Sequence, residues 1–199
     1  MYRKISVQKY IDELAGRKPV PGGGSAAALC GALGTALLEM VCNFTVGKAA
    51  YKSVEPDIKR YLASLKKARE KFVILIDEDA RIYSKISCVF KSGNKKNIDK
   101  SLKDGYYVSE KMSQMCVSAM RIAMDLSQKG NVNLITDVGC GAELLRASFN
   151  SGIFNSEINL NGLKDTSFVK SKKSYMAQLK NEMEILYKNA VAKTKEKMR

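Results

Sequence analysis

Histidine is absent from all 199 residues, and with it goes the side chain that most often moves protons near neutral pH and most often holds zinc. Proton transfer, if this chain performs any, falls to Asp, Glu, Lys, Tyr or Cys. Tryptophan is absent too, and proline is confined to Pro19, Pro21 and Pro56. The chain beyond Pro56 therefore holds no obligatory helix breaker and should form long helices. Cysteine is sparse and odd in number: Cys30, Cys42, Cys88, Cys116 and Cys140 are widely spaced, with no CxxC. They read as reduced core thiols of a cytoplasmic protein rather than a disulfide framework or a metal site. Met1 to Lys18 mixes charges with apolar positions in a helical rhythm and lacks the apolar stretch of a secretory signal.

What is present is the balance of a globular chain, 45% hydrophobic and 27% charged, large enough to bury one substantial core. The expectation is an all-α, single-domain bundle of long helices over residues 1–199. Lys and Arg number 34 against 20 Asp and Glu, a formal charge of +14. That excess favours encounter with an anion: nucleic acid, an acidic metabolite or a membrane surface. The lysines are spread over several segments without a recognition-helix motif or an aromatic stacking platform, so no nucleic acid is expected. Ala26 to Phe44 is the one run resembling a membrane span, but Glu39 and Asn43 interrupt it and its Ala/Gly content suits a buried helix, so no membrane is expected either.

Local signals place the helices. Ser6 is a candidate N-cap for a first amphipathic helix that stops at Gly16. Lys18, Pro19, Val20, Pro21 and the three glycines Gly22, Gly23 and Gly24 build a turn, after which Ser25 is expected to cap a helix of small residues. Pro56, flanked by Glu55 and Asp57, suits the first turn of a third helix. Read in sevens, this helix carries the rows Ile58, Leu65, Phe72, Asp79, Ile86 and Tyr61, Ala68, Leu75, Ile82, Val89. After a polar break at Lys91 to Lys96, Asn97 can cap a fourth helix with the soft rows Ile98, Gly105, Met112, Ala119, Leu126 and Leu102, Ser109, Cys116, Ala123. Thr136 and Asp137 open a fifth. A last one from about Thr166 carries Met176, Leu179, Met183, Leu186 and Ala190 toward a Lys-rich end expected to fray.

Chemistry concentrates at two places. Asp79 is the single charged position on a core-facing stripe, where an unpaired carboxylate would suffer a desolvation penalty of roughly several kcal/mol. Either a structural partner compensates it, or burial raises its pKa until it serves as a general acid and base near neutral pH. Asp77, on the other side of the same turn, reads as a solvated face. Gly22, Gly23, Gly24 and Ser25 lead into a helix whose free N–H groups suit a carboxylate or phosphate, with a merely flexible turn as the plain alternative. No strand precedes these glycines, so they are not a dinucleotide fingerprint, and Thr45-Val46-Gly47-Lys48 lacks the earlier glycine of a phosphate-binding loop.

Taken in order, Pro21-Gly22-Gly23-Gly24-Ser25-Ala26-Ala27-Ala28, Gly31-Ala32-Leu33-Gly34, Thr45-Val46-Gly47-Lys48, Asp77-Glu78-Asp79-Ala80, and Thr136-Asp137-Val138-Gly139 through Ile158-Asn159-Leu160 resemble the C-terminal domain family of formiminotransferase-cyclodeaminases. The resemblance implies an all-helical two-fold homodimer acting on tetrahydrofolate-bound one-carbon units. One such reaction closes 5-formiminotetrahydrofolate to 5,10-methenyltetrahydrofolate with loss of ammonia; the alternative interconverts methenyl- and 10-formyltetrahydrofolate with water. The first is the leading expectation, methenyltetrahydrofolate cyclohydrolase the alternative, and a dimeric folate-binding or scaffold protein without turnover the rival of another class. Asp79 is then the proposed general acid/base. Asp137 would bind the pterin or orient a proton carrier, and Lys48 would pair with the glutamate tail of a folate, polyglutamylated forms included. Gly22, Gly23, Gly24, Ser25, Thr45 and Asn159 complete the expected substrate site. No metal and no cofactor beyond the folate itself is implied. Without a formiminotransferase domain, a deaminating member would take its substrate from another protein. Val20, Cys140 and Glu143 depart from the family's usual threonine and small apolar residues.

The dimer expectation also has a compositional root: the small-residue helix and the Gly105, Ser109, Cys116, Ala119 row offer flat apolar surface that one subunit would have to hide.

Overall fold

Six α-helices account for nearly all of the computed structural model, which describes residues 1–92 and 95–199: α1 (Val7–Ala15), α2 (Gly23–Asn43), α3 (Glu55–Ser92), α4 (Lys95–Lys129), α5 (Ile135–Asn161) and α6 (Thr166–Lys197). No strand occurs among the described residues. Ser6 caps α1, its hydroxyl accepting from Lys9 N at 3.2 Å, and Asp165 caps α6 by accepting from Phe168 N at 3.0 Å. α3 begins one residue before Pro56. α4 starts before Asn97, which lies inside its first turn. Of the break expected at Lys91 to Lys96, positions 93 and 94 lie outside the described residues. The C-terminal end does not fray: α6 stays helical to Lys197, whose Nζ donates to Gln128 O at 2.6 Å.

α2 is the hub. It is long and apolar enough to cross a membrane, yet it packs against α3, α4 and α5 inside the bundle. Its small residues permit this. A Cβ on Gly34 would lie 3.0 Å from Gly141 O and from Leu145 Cγ, so α2 and α5 touch backbone to backbone. The pairing is antiparallel, since Ser148 Oγ donates to Ala27 O at 2.7 Å and Cys30 Sγ to Leu144 O at 3.2 Å. On α3 the two rows face the core as expected: Ile58, Leu65, Phe72, Tyr61, Leu75 and Ile82 are buried.

Two expectations require correction. The soft row of α4 is not spare surface: Gly105, Ser109, Cys116 and Ala119 are buried, and this side of α4 meets α5, where a Cβ on Gly152 would come within 2.8 Å of Ser113 Oγ and Cys116 Sγ donates to Ser148 Oγ at 3.3 Å. Exposed apolar surface lies instead on α2, where Leu33 is 52% exposed between half-buried Leu29, Leu37 and Met40. Nor are all five thiols core groups. Cys42 and Cys116 are buried, which pushes both thiols up to about 12, but Cys88 and Cys140 are exposed; all five are free.

Candidate active site

The first turn of α2 has no capping side chain of its own, because its N-cap is Gly22. Ser25, expected at the cap, sits inside the helix. Its buried hydroxyl pairs with Tyr10 Oη of α1 at 3.0 Å. The cap comes from another helix. Asp79 of α3 lies against this turn at Gly24, where the backbone N–H of Ser25 favours its carboxylate form. The approach is so close that a Cβ on Gly24 would stand 2.0 Å from Asp79 Oδ1. Only glycine leaves room for the carboxyl to reach the positive end of the helix.

Burial is the larger influence on Asp79 and holds its pKa above the ordinary carboxylate value; the Ser25 N–H opposes this and wins back only part. Asp77, one turn-face away, does something different from the solvated role expected of it. It is half-buried and anchors the N-terminus, accepting from Tyr2 N at 2.5 Å and pairing with Arg3 Nε at 3.2 Å.

In front of Asp79 opens a cavity of about 650 Å³ between the start of α2, the second half of α3, the first half of α4 and the end of α5. Its walls are mostly apolar, with Val20, Ile82, Ile86, Leu102 and Val108 inside and Tyr83, Phe90 and Ile158 half or more exposed around it. Polar groups are few: Asp79, Ser109, Asn155, Asn159 and Asn161, with the backbone of Gly22 to Gly24. Asn159 is held by its own helix, its Nδ2 donating to Asn155 O at 2.7 Å. Room for its side chain exists because Gly105 faces it; a Cβ there would be 2.9 Å from Asn159 Oδ1. Among the described residues neither Lys nor Arg lines the cavity. An apolar cleft with a handful of placed polar groups is the usual form of a small-molecule site.

Of the residues singled out from sequence, Gly22, Gly23, Gly24, Asp79 and Asn159 line this one cavity, with Ser25 directly behind Asp79. Thr45, Lys48 and Asp137 do not. α2 runs 21 residues and α5 is antiparallel to it, so they lie at the far end of the subunit, about 30 Å away at 1.5 Å per residue. Thr45 is buried there in a structural joint, donating to Val41 O at 2.6 Å and accepting from Asn131 N at 3.0 Å. Lys48 is exposed and Asp137 half-buried in the first turn of α5. Sequence reasoning missed Asn155, although its spacing of four from Asn159 on one helix face was a usable signal, and it missed the partnership of Tyr10 with Ser25. Among the described residues no three Asp, Glu or Cys side chains gather as a metal site.

Fold and site together define an all-helical protein that keeps a carboxyl at a helix N-terminus inside an apolar, ligand-sized cleft. Comparison with known proteins narrows this. A family model described as formiminotransferase-cyclodeaminase matches residues 6–178. The chain is 31% identical over 176 residues to the methenyltetrahydrofolate cyclohydrolase of Methylorubrum extorquens, covering 84% of this chain and 85% of that protein. It is 26% identical over 188 residues to the formimidoyltransferase-cyclodeaminase of Rattus norvegicus, covering 89% of this chain and 34% of the relative, so it spans about a third of that longer protein. The crystal structure of a formiminotetrahydrofolate cyclodeaminase from Thermotoga maritima matches with a TM-score of 0.95 at 28% identity, over 98% of each chain. The chain belongs to the formiminotransferase-cyclodeaminase family, a family of folate one-carbon enzymes.

Proposed function

We propose that the protein is a formimidoyltetrahydrofolate cyclodeaminase with Asp79 as its general acid and base. The observation carrying this reading is a carboxyl whose pKa burial raises, facing a cleft of ligand size. In the reaction, N10 attacks the carbon of the protonated formimino group held on N5, giving a tetrahedral carbon that bears an amino group. One proton must then pass from N10 to that amino nitrogen, which leaves as ammonia while the C–N double bond of the methenyl product forms. A carboxyl whose proton affinity burial raises can give a proton to the leaving nitrogen and take one from N10. The apolar walls exclude the water that would compete with N10. Asn155 and Asn159 offer amide groups to the ring system, and the Gly22 to Gly24 backbone lies beside the reacting end.

The cyclohydrolase reading is the second one, favoured by the near full-length match to the Methylorubrum extorquens protein. There the same carboxyl would serve water adding to the methenyl carbon. We place the protein in the cytoplasm, where its five free thiols stay reduced, and as a two-fold dimer through the exposed face of α2. In that assembly Lys48, Thr45 and Asp137 would act on a folate, with its glutamate tail, only across a subunit boundary.

Methenyl absorbance separates the alternatives. Its appearance from 5-formiminotetrahydrofolate with ammonia release supports the cyclodeaminase, its loss from methenyltetrahydrofolate above the uncatalysed rate supports the cyclohydrolase, and neither supports a binding protein without turnover. Asp79→Asn should lower kcat by about 10² to 10⁴ while the protein stays folded. Near-normal turnover in that variant removes Asp79 from the chemistry.

A further inference from the structure

Behind Asp79 lies a second layer that the reaction scheme leaves unused. Tyr10, in α1, is 5% exposed and Ser25 is fully buried, and their hydroxyls meet at 3.0 Å. The Asp79 carboxyl lies against the same turn at Gly24, and the N–H of Ser25 favours its carboxylate form. Tyr10 is itself braced, since the Tyr2 ring packs edge-on against it at 6.2 Å and Tyr2 Oη donates to Val20 O at 3.1 Å, a residue of the cavity wall. The main chain of Tyr2 and the guanidinium of Arg3 are fastened to Asp77, two residues before Asp79. The N-terminal segment thus holds the α2 turn, the cavity loop and the acidic stretch of α3 together, and its contact with the turn is a buried hydroxyl pair.

We propose that Tyr10 is a positioning residue for Asp79, acting through Ser25: its hydroxyl fixes the first turn of α2 so that the Ser25 N–H stays on the carboxyl. The proposal rests on the role given to Asp79 above and concerns a residue that touches no substrate. A simple packing role would not need the hydroxyl, because a phenylalanine ring would fill the same space. With the hydroxyl removed, the buried Ser25 Oγ loses its partner and turns to another acceptor, carrying the turn with it. The carboxylate form of Asp79 then loses its opposing hydrogen bond while its burial is unchanged, so its titration moves to higher pH. Few other groups can set that titration. Tyr10 faces it from the N-terminal segment, Asp77, Glu78 and Tyr83 share its helix, and among the described residues α2, α4 and α5 bring only the neutral Ser25, Ser109, Asn155, Asn159 and Asn161 to the cavity.

The test is Tyr10→Phe in the full chain, with Ser25→Ala as the second variant should the first fail to fold. The Asp79 carboxyl is followed by carbon NMR through a pH titration, assigned by its loss in Asp79→Asn, and steady-state kinetics are measured alongside. The expected result is a rise of about half a unit to one unit in the Asp79 midpoint. In kinetics, kcat should fall about tenfold with KM changed less than twofold, and the Tyr10→Phe/Ser25→Ala double variant should be little worse than either single one. An unchanged Asp79 midpoint in a folded variant overturns the proposal, as does a loss confined to KM. The titration is read without substrate, so a protein that turns over neither folate would sink the catalytic reading while the Tyr10 link is still decided.

Discussion

Asp79 owes its character to two opposed influences at one atom group: a mostly apolar surround that penalises its charge, and a helix N-terminus that welcomes it. Because the first dominates, its folded-state pKa lies above the unfolded one. Between those two values the folded chain holds a proton that the unfolded chain has lost, so this group lowers stability as pH rises through the window and adds no further slope above it. Asp79→Asn removes that contribution. Urea unfolding from about pH 4 to pH 8 should show the gap between variant and parent moving in the variant's favour as pH rises, with the sign reversed if the Ser25 hydrogen bond were the stronger influence. The same residue marks a limit of reading chemistry from spacing. Its place on an apolar stripe announced a buried acid, but the partner was a backbone N–H 54 positions earlier in sequence, which no periodicity could reveal.

At the scale of elements, α2 is made of residues chosen for what they lack. Gly24 admits the Asp79 carboxyl, Gly31 admits the Phe72 ring, and Gly34 admits α5. A Gly34→Val substitution should force α2 and α5 apart, at about 1–3 kcal/mol, or roughly 2–10 °C in Tm for a chain of this size. Gly23→Ala is the control: a Cβ there meets nothing within 4 Å, so its Tm should hold or rise. Thermal unfolding followed by circular dichroism distinguishes the two, and equal melting points would contradict the close crossing. The α4 row was legible as a buried stripe but not as to what it faced. Small residues serve a helix neighbour in the same chain as well as one in a second copy, and here the neighbour is α5.

For the whole molecule, the apolar strip on α2 around Leu33 is the surface that a second subunit would cover. Introducing charge there by Leu33→Glu should raise the dimer dissociation constant by at least about 10 to 100-fold, the equivalent of losing one well-buried leucine in all. Light scattering across a dilution series checks this. A parent protein with the mass of one subunit at all concentrations would refute the dimer, and an unshifted variant would move the interface elsewhere. The charge of +14 is a property at this scale as well. It draws anions to the molecule as a whole, while among the described residues no Lys or Arg lines the cleft, so the field steers and the pocket's shape selects.

By itself the sequence determined the helical class, the approximate starts of the helices and most of the faces that are buried, because helix propensity, capping and periodicity act over a few residues and are written locally. It also narrowed the residue types that could move a proton, since the chain has no histidine, and the ordered motifs pointed to the family. Tertiary structure alone decided which of those residues meet. Two long antiparallel helices put Gly22 to Gly24 and Asn159 at one end with Asp79, and carried Thr45, Lys48 and Asp137 to the other. Only the packing of α1 behind α2 made Tyr10 a neighbour of the acid. Such meetings depend on the crossing of elements distant in sequence, where a displacement of one helical turn changes every partner, and no local pattern encodes that displacement.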